Sequence, residues 1–179
     1  VDLGWIVEQD KHILEAVYVD GHQGYLEKAK PVLEGHITFM DKASMIVAHV
    51  VDPQPGERIL DCCAAPGGKS MHMASLMNNT GAIMSCDIYD HKLELINQNA
   101  ERLGVSIIST KLQDGRHLPD NWKEQFDRVL VDAPCSGLGI LQKKLDMRWR
   151  KDESTLSELP PLQLAILERA AMTVKEKGY

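Results

Sequence analysis

A chain of 179 residues, 44% of them hydrophobic, is long enough for one packed core of ordinary domain size. A net charge of −6 excludes a surface that binds nucleic acid by overall charge, so such binding needs a local patch. No apolar run reaches the ~18 residues of a membrane span and no signal peptide is visible. Cys62, Cys63, Cys86 and Cys135 lack zinc spacing and read as reduced thiols in a cytoplasmic protein, with no metal expected.

Residues 1–35 read as the end of a small N-terminal module or linker, and 36–179 as the core. The first residue is Val1, not Met, which leads us to expect a fragment or processed chain. A strand is expected over Ile13–Val19, and Gly21, Gly24 and Pro31 punctuate the residues after it. Gly35–Phe39 is a short β-like run. Asp41 can cap a helix through Val50, which Asp52-Pro53 stops. No internal repeat or low-complexity segment is present.

The stretch Asp61–Ser70, DCCAAPGGKS, follows the apolar Arg58-Ile59-Leu60 and precedes apolar residues at helical spacing. The pattern is strand, glycine-rich turn, helix. Such a turn aims backbone N–H groups and a positive helix end at a ligand. Gly67 and Gly68 would let that ligand approach the backbone. The G-x-G-x-x-G of a dinucleotide site is missing. Gly68-Lys69-Ser70 matches the end of a P-loop, but Cys63 holds its opening glycine position. A site for S-adenosylmethionine (SAM) needs the turn plus an acid after the next strand. Asp87 supplies one 20 residues after Gly67, near the ~20-residue interval of ribose-binding acids. A tight turn with no ligand is the plain alternative.

Strand–helix alternation continues. A strand is expected over Gly81–Ile88, a helix capped by Asp90 and ended by Gly104, and a third strand over Val105–Leu112. Phe126–Val131 reads as a fourth strand, buried on both faces, and a last helix as running from about Leu162 to Lys175. These units predict an α/β fold, Rossmann-like, with a mostly parallel sheet and helices on both faces. Asp61, Asp87, Asp114 and Asp132 fall at or just past strand carboxyl ends, where such sheets bind ligands.

Asp132-Ala133-Pro134-Cys135 follows the fourth strand. Enzymes that methylate amino groups carry Asp/Asn-Pro-Pro-aromatic here, whereas Pro-Cys suits chemistry at a ring carbon. A thiolate added to carbon 6 of cytosine turns carbon 5 into a nucleophile toward the SAM methyl group. Asp132 is placed to support that adduct. The plain reading of Cys135 is a small buried apolar residue.

DCCAAPGGKS together with DAPCSGLGIL resembles the bacterial 16S ribosomal RNA cytosine-5 methyltransferases of the Fmu/Sun (RsmB) type, over nearly all the chain from Gly35 onward. Gly35-His36-Ile37-Thr38, Asp41 and Ser44 are similar to the segment before that catalytic domain. The resemblance implies a SAM-dependent methyltransferase fold with sheet order 3-2-1-4-5-7-6. It implies that Cys63, Ala64, Ala65, Pro66, Gly67, Gly68 and Lys69 line the SAM methionine and ribose. Asp87 would take the ribose hydroxyls, Asp114 would lie by the adenine, and Asp132 would face SAM and the target cytosine. In the family the nucleophile is a second cysteine, in a Thr-Cys motif on the fifth strand, while the residue matching Cys135 helps release product. No Thr-Cys motif occurs before Tyr179, so the chain is expected to be truncated and inactive alone. Its fourth strand is then an expected open edge, inviting dimerisation or strand exchange. Lys143, Lys144, Arg148, Trp149 and Arg150 are the expected RNA contacts, through phosphate pairing and base stacking. The competing reading is a non-catalytic module that binds SAM or RNA.

Overall fold

The computed structural model describes residues 4–21, 25–137 and 154–179, with only the backbone of 154–156. Two short strands, β1 (Ile6–Gln9) and β2 (Val17–Asp20), pair antiparallel. Only the end of the run expected to be extended from Ile13 is strand. Ala16 N–H turns back to the Ile13 carbonyl, and Asp10 organises the bend. Its buried carboxylate accepts from the amides of His12 and Ile13, the Tyr18 hydroxyl and Lys42. Those donors, Lys42 foremost, hold its pKa well below the usual carboxylate range.

A short α1 (Lys30–Leu33) leads to residues 35–39, which are not a strand. Gly35 adopts φ +77° against the Arg102 carbonyl, where a Cβ would overlap the oxygen. Arg102 donates to the carbonyls of Val32 and Ile37 at 2.7 and 3.4 Å. The amides of Gly35, His36 and Ile37 turn back to the carbonyls of Val32 and Pro31, so the segment satisfies its backbone on α1 and on a side chain, not on a strand partner.

The core is one parallel sheet, β5 (Ile108–Leu112), β4 (Ala82–Asp87), β3 (Arg58–Asp61) and β6 (Arg128–Leu130) in spatial order. In order of appearance within the core this is 3-2-1-4, as the resemblance implied. Both β3 and β4 are short and largely buried. Successive side chains of β3 point to opposite faces. Ile59 packs with Ala48, Met73 and Met77 of α2 (Lys42–Val51) and the α3 segment, and Leu60 packs with Phe126, Ile166 and Ala170 on the other side. The helices α3 (Gly68–Leu76), α4 (Asp90–Arg102) and α5 (Ser154–Ala171) complete the layers.

Three expected helix starts differ. Asp41 stands at the N-cap of α2, but its carboxylate accepts from the Ser44 hydroxyl at 3.1 Å and from no helix amide. Tyr89, not Asp90, caps α4, and Asp90 is its first residue. The last helix begins before Leu162 and holds Pro160 and Pro161 within it. It also ends at Ala171, where the Thr173 hydroxyl and amide both turn back to the Ala170 carbonyl.

The residues beyond Ala171 correct the expected open edge. Val174 bridges Phe126 in parallel, Lys175 N–H donates to the Phe126 carbonyl, and Val129 N–H donates to the Tyr179 carbonyl at 2.8 Å. Residues 174–179 thus cover part of the β6 edge. The strand is also less buried than its apolar run suggested, with Val129 and Val131 only half-buried. Arg128 explains one interruption: it leaves the core to bond Glu57 and the Val51 carbonyl. Among the described residues no helix is long and apolar enough to cross a membrane.

Candidate functional site

A cleft of about 230 Å³ opens at the carboxyl end of β3. The turn supplies Asp61, Cys63, Ala64, Ala65, Pro66, Gly68 and Lys69, and the segment after β6 supplies Asp132. The far wall is Phe39, Met40, Asp41 and Ser44. Seven of the expected cofactor-binding residues therefore share one cavity. Gly67, Asp87, Asp114 and Cys135 do not line it.

The turn is tied to both neighbouring strands. Cys62 N–H donates to the Leu130 carbonyl of β6, and Ala64 N–H to the Cys86 carbonyl of β4. The two glycines do different work. Gly67 has φ +98° and its Cβ position lies 3.2 Å from Ile96, so it serves the backbone and the packing of α4. Gly68 has nothing within 4 Å of its Cβ position and lines the cleft, so it alone keeps space clear for a ligand.

Four carboxylates gather near this opening. Asp61 ends β3 and Asp87 ends β4; Asp114 and Asp132 follow β5 and β6 by two residues. Burial raises the half-buried Cys63 thiol to about 12, and the charges of Asp61, Asp87, Asp132 and Asp114 all push the same way. Cys63 is therefore a protonated wall residue, not a thiolate nucleophile. Burial similarly pushes Cys86 up to about 12 and raises Cys62 further still.

Asp61 is 1% exposed. Its Oδ2 accepts from the Ser70 hydroxyl at 2.7 Å, and Ser70 lies 2.8 Å from the Ser85 hydroxyl. Its Oδ1 has no partner in hydrogen-bond geometry, although the Cys63 amide is near enough to help hold the pKa down. Burial outweighs these donors and, with the Asp132 charge, brings Asp61 up to about 6. Lys69 Nζ lies 2.6 Å from Asp132 Oδ2. A cleft with three carboxylates, Asp41, Asp61 and Asp132, one cation, a clear glycine floor and an orphaned buried oxygen fits a cationic nucleoside such as SAM.

The other expected residues stand around this cleft. Asp87 is buried, accepts from the Tyr89 amide at 3.0 Å and lies 3.8 Å from Lys92. Asp114 is paired bidentately with Arg116, whose hydrogen bonds hold its carboxyl down at about 2. Cys135 is exposed and free. Its neighbour Pro134 is held by α5, where Gln163 donates to the Pro134 carbonyl at 2.8 Å. Lys143, Lys144, Arg148, Trp149 and Arg150 lie outside the described residues. Sequence reasoning missed the role of Phe39 as a cleft wall. It sits in a segment with no periodicity, just after Ile37 and Thr38, which Arg102 holds.

The sequence model of the family described as 16S rRNA methyltransferase RsmB/F matches residues 48–179. The chain is 46% identical over 145 residues to the "Probable ribosomal RNA small subunit methyltransferase B" of Bacillus subtilis, covering 80% of this chain and 32% of that protein. It is 40% identical over 151 residues to the human 28S rRNA (cytosine(4447)-C(5))-methyltransferase, covering 82% of this chain and 18% of that one. It therefore spans about a third of the length of the bacterial relative and less of the human one. Among solved structures it is similar to NSun6 from Pyrococcus horikoshii with SFG, at TM-score 0.79 and 30% identity, over 91% of this chain and 42% of that one. The sheet and these likenesses make the fold that of the Rossmann-like SAM-dependent methyltransferases. With the family's pattern running from α2 to the last residue, and the glycine turn and Asp132 meeting in one cleft, the chain belongs to the 16S rRNA methyltransferase RsmB/F family.

Proposed function

We propose that this protein transfers a methyl group from SAM to carbon 5 of a cytosine in RNA, with small-subunit ribosomal RNA as the substrate. One observation carries the reading: the glycine turn and Asp132 line the same cleft, with Cys135 three residues further along the chain. The named relatives support it, one by acting on small-subunit RNA and one on carbon 5 of cytosine. SFG, the SAM analogue bound to NSun6, supports the cofactor.

SAM supplies an electrophilic methyl group on a sulfonium. In this reading Gly68 leaves room for it, and Asp61 and Asp132 face its positive charge. Asp87 takes the ribose hydroxyls and Asp114 lies by the adenine. Lys69 and Asp132 orient the base by hydrogen bonds and hold its protons during addition of a cysteine thiolate to carbon 6. Cys135, presented by the Gln163–Pro134 contact, acts on the adduct. The cation-rich run holding Lys143, Lys144, Arg148, Trp149 and Arg150 pairs with RNA phosphates and bases. A cytoplasmic location accompanies this substrate. The β6 edge carries its own cover in residues 174–179, so the reading does not rely on self-association there.

The test is tritium-methyl transfer from SAM to 16S ribosomal RNA by the full-length protein, with bisulfite sequencing of the product. Label at carbon 5 of one cytosine is the expected result. SAM and RNA binding without transfer would replace it with the binding-module reading.

A further inference from the structure

Away from the cleft, three side chains distant in sequence converge. Glu15 lies in the bend between β1 and β2, His49 near the end of α2, and His72 within α3. Glu15 Oε1 is 2.6 Å from His49 Nε2 and 2.7 Å from His72 Nε2. The imidazoles meet edge to face, with centroids 5.5 Å apart. Among the described residues these are the three His, Cys, Asp or Glu donors whose ligand atoms lie within 4.8 Å of one another.

We propose that Glu15, His49 and His72 bind a divalent transition-metal ion of the zinc class, clasping the β1–β2 module to the helices behind the glycine turn. Two imidazole nitrogens and one carboxylate oxygen form a borderline donor set that zinc accepts, with water in the fourth position. Both Nε2 atoms already aim at one oxygen. Zinc bonds of about 2.0–2.1 Å place tetrahedral donors roughly 3.3 Å apart. The present donor pairs need to part by roughly 0.6 Å, which side-chain rotation supplies. His49 and Glu15 are partly exposed and give an ion access, while His72, 7% exposed at its side chain, fixes the inner ligand.

The protons balance. In the hydrogen-bonded state each ring carries its proton on Nε2, facing the carboxylate. A metal takes the Nε2 lone pair, so that proton leaves and Nδ1 becomes protonated. On His72, Nδ1 is buried with no hydrogen-bond partner, so no acceptor bond is broken when it gains the proton. The same missing partner weakens the site, because a held Nδ1–H ordinarily adds 10- to 100-fold to affinity. Binding in the micromolar range is therefore expected.

The test is zinc chloride titrated into metal-stripped, purified protein against a chromophoric chelator, with melting temperature read in parallel. One equivalent is expected to bind. At free zinc 100-fold above Kd the midpoint is expected to rise by about 5–10 °C. Magnesium chloride is expected to do neither. Glu15→Gln and His49→Ala, both at partly exposed positions, are each expected to weaken binding at least tenfold, and Cys135→Ser to leave it unchanged. Absence of stoichiometric zinc binding by the unmodified protein overturns the proposal. So does equal binding by Glu15→Gln and His49→Ala, which would place the ion on thiols.

Discussion

Lys69 Nζ and Asp132 Oδ2, 2.6 Å apart, join the helix after the glycine turn to the segment after β6. The Asp132 side chain is half-exposed, so the pair adds little to stability, at most about 1 kcal/mol. Its expected weight is in catalysis. Asp132→Asn in the full-length protein should lower methyl transfer by about 10²–10⁴-fold, the range for a positioned acid or base. Urea unfolding should move by no more than about 1 kcal/mol. Equal losses in both measurements would make Asp132 a structural residue.

Gly67 and Gly68 separate backbone from ligand. Gly67→Ala forces φ +98° on a residue with a Cβ and presses that Cβ on Ile96. A stability loss of about 1–3 kcal/mol is expected by denaturant titration. Gly68→Ala should not lower stability, and should raise it by up to about 1 kcal/mol, because its Cβ meets open space at the start of α3, yet weaken SAM binding by at least tenfold in calorimetry. Unchanged SAM affinity in Gly68→Ala would show that no ligand approaches there.

Ser70 is the hinge of a buried polar chain between Asp61 and Ser85. Ser70→Ala leaves Asp61 Oδ2 without that donor in a buried place. The expected cost is about 1–3 kcal/mol, read as a lower urea midpoint at unchanged slope. Replacing Ser70 with Thr, which keeps the hydroxyl, should recover part of the loss.

Asp61 gives a pH signature. Its pKa rises from 3.8 to about 6, chiefly by burial, so the folded state keeps a proton that the unfolded chain has released between those values. That contribution is complete below pH 3.8 and disappears as pH climbs through 6. The rise is worth about 3 kcal/mol. Asp61→Asn lacks this dependence, so the stability of the unmodified protein relative to it should fall by about 2–3 kcal/mol between pH 4 and 7. A sulfonium bound beside Asp61 favours its charged form. Calorimetry of SAM binding near pH 6, in buffers of different ionisation enthalpy, should therefore show a released proton.

The alternation of strands and helices in the core was legible because each apolar run ends in a recognisable stop. Pro53 follows α2, Gly67 opens α3 and Gly104 ends α4. Asp61, Asp87, Asp114 and Asp132 were legible as a set because a parallel sheet puts all strand ends on one rim. What sequence could not show was contact across the chain. Residues 35–39 look extended, but the Ile37 carbonyl goes to Arg102, 65 residues later. The edge of β6 looks open until Val174 and Tyr179 return to it. Glu15 and His72 stand 57 residues apart with no shared motif. Gly67 and Gly68 look equivalent as letters, and only φ and the nearest neighbours divide their tasks.

The reach of Arg102 to the carbonyls of Val32 and Ile37 has a practical side. Phe39 and Met40 directly follow Ile37 and Thr38, which that guanidinium holds, and belong to no strand of their own. Trimming the protein at residue 41, a natural choice for anyone seeking a minimal sheet, would strip Phe39 and Met40 from the far wall of the cavity while leaving Asp41, Ser44 and all four sheet strands in the chain. Such a trimmed protein would look healthy by circular dichroism and hold its nucleoside poorly.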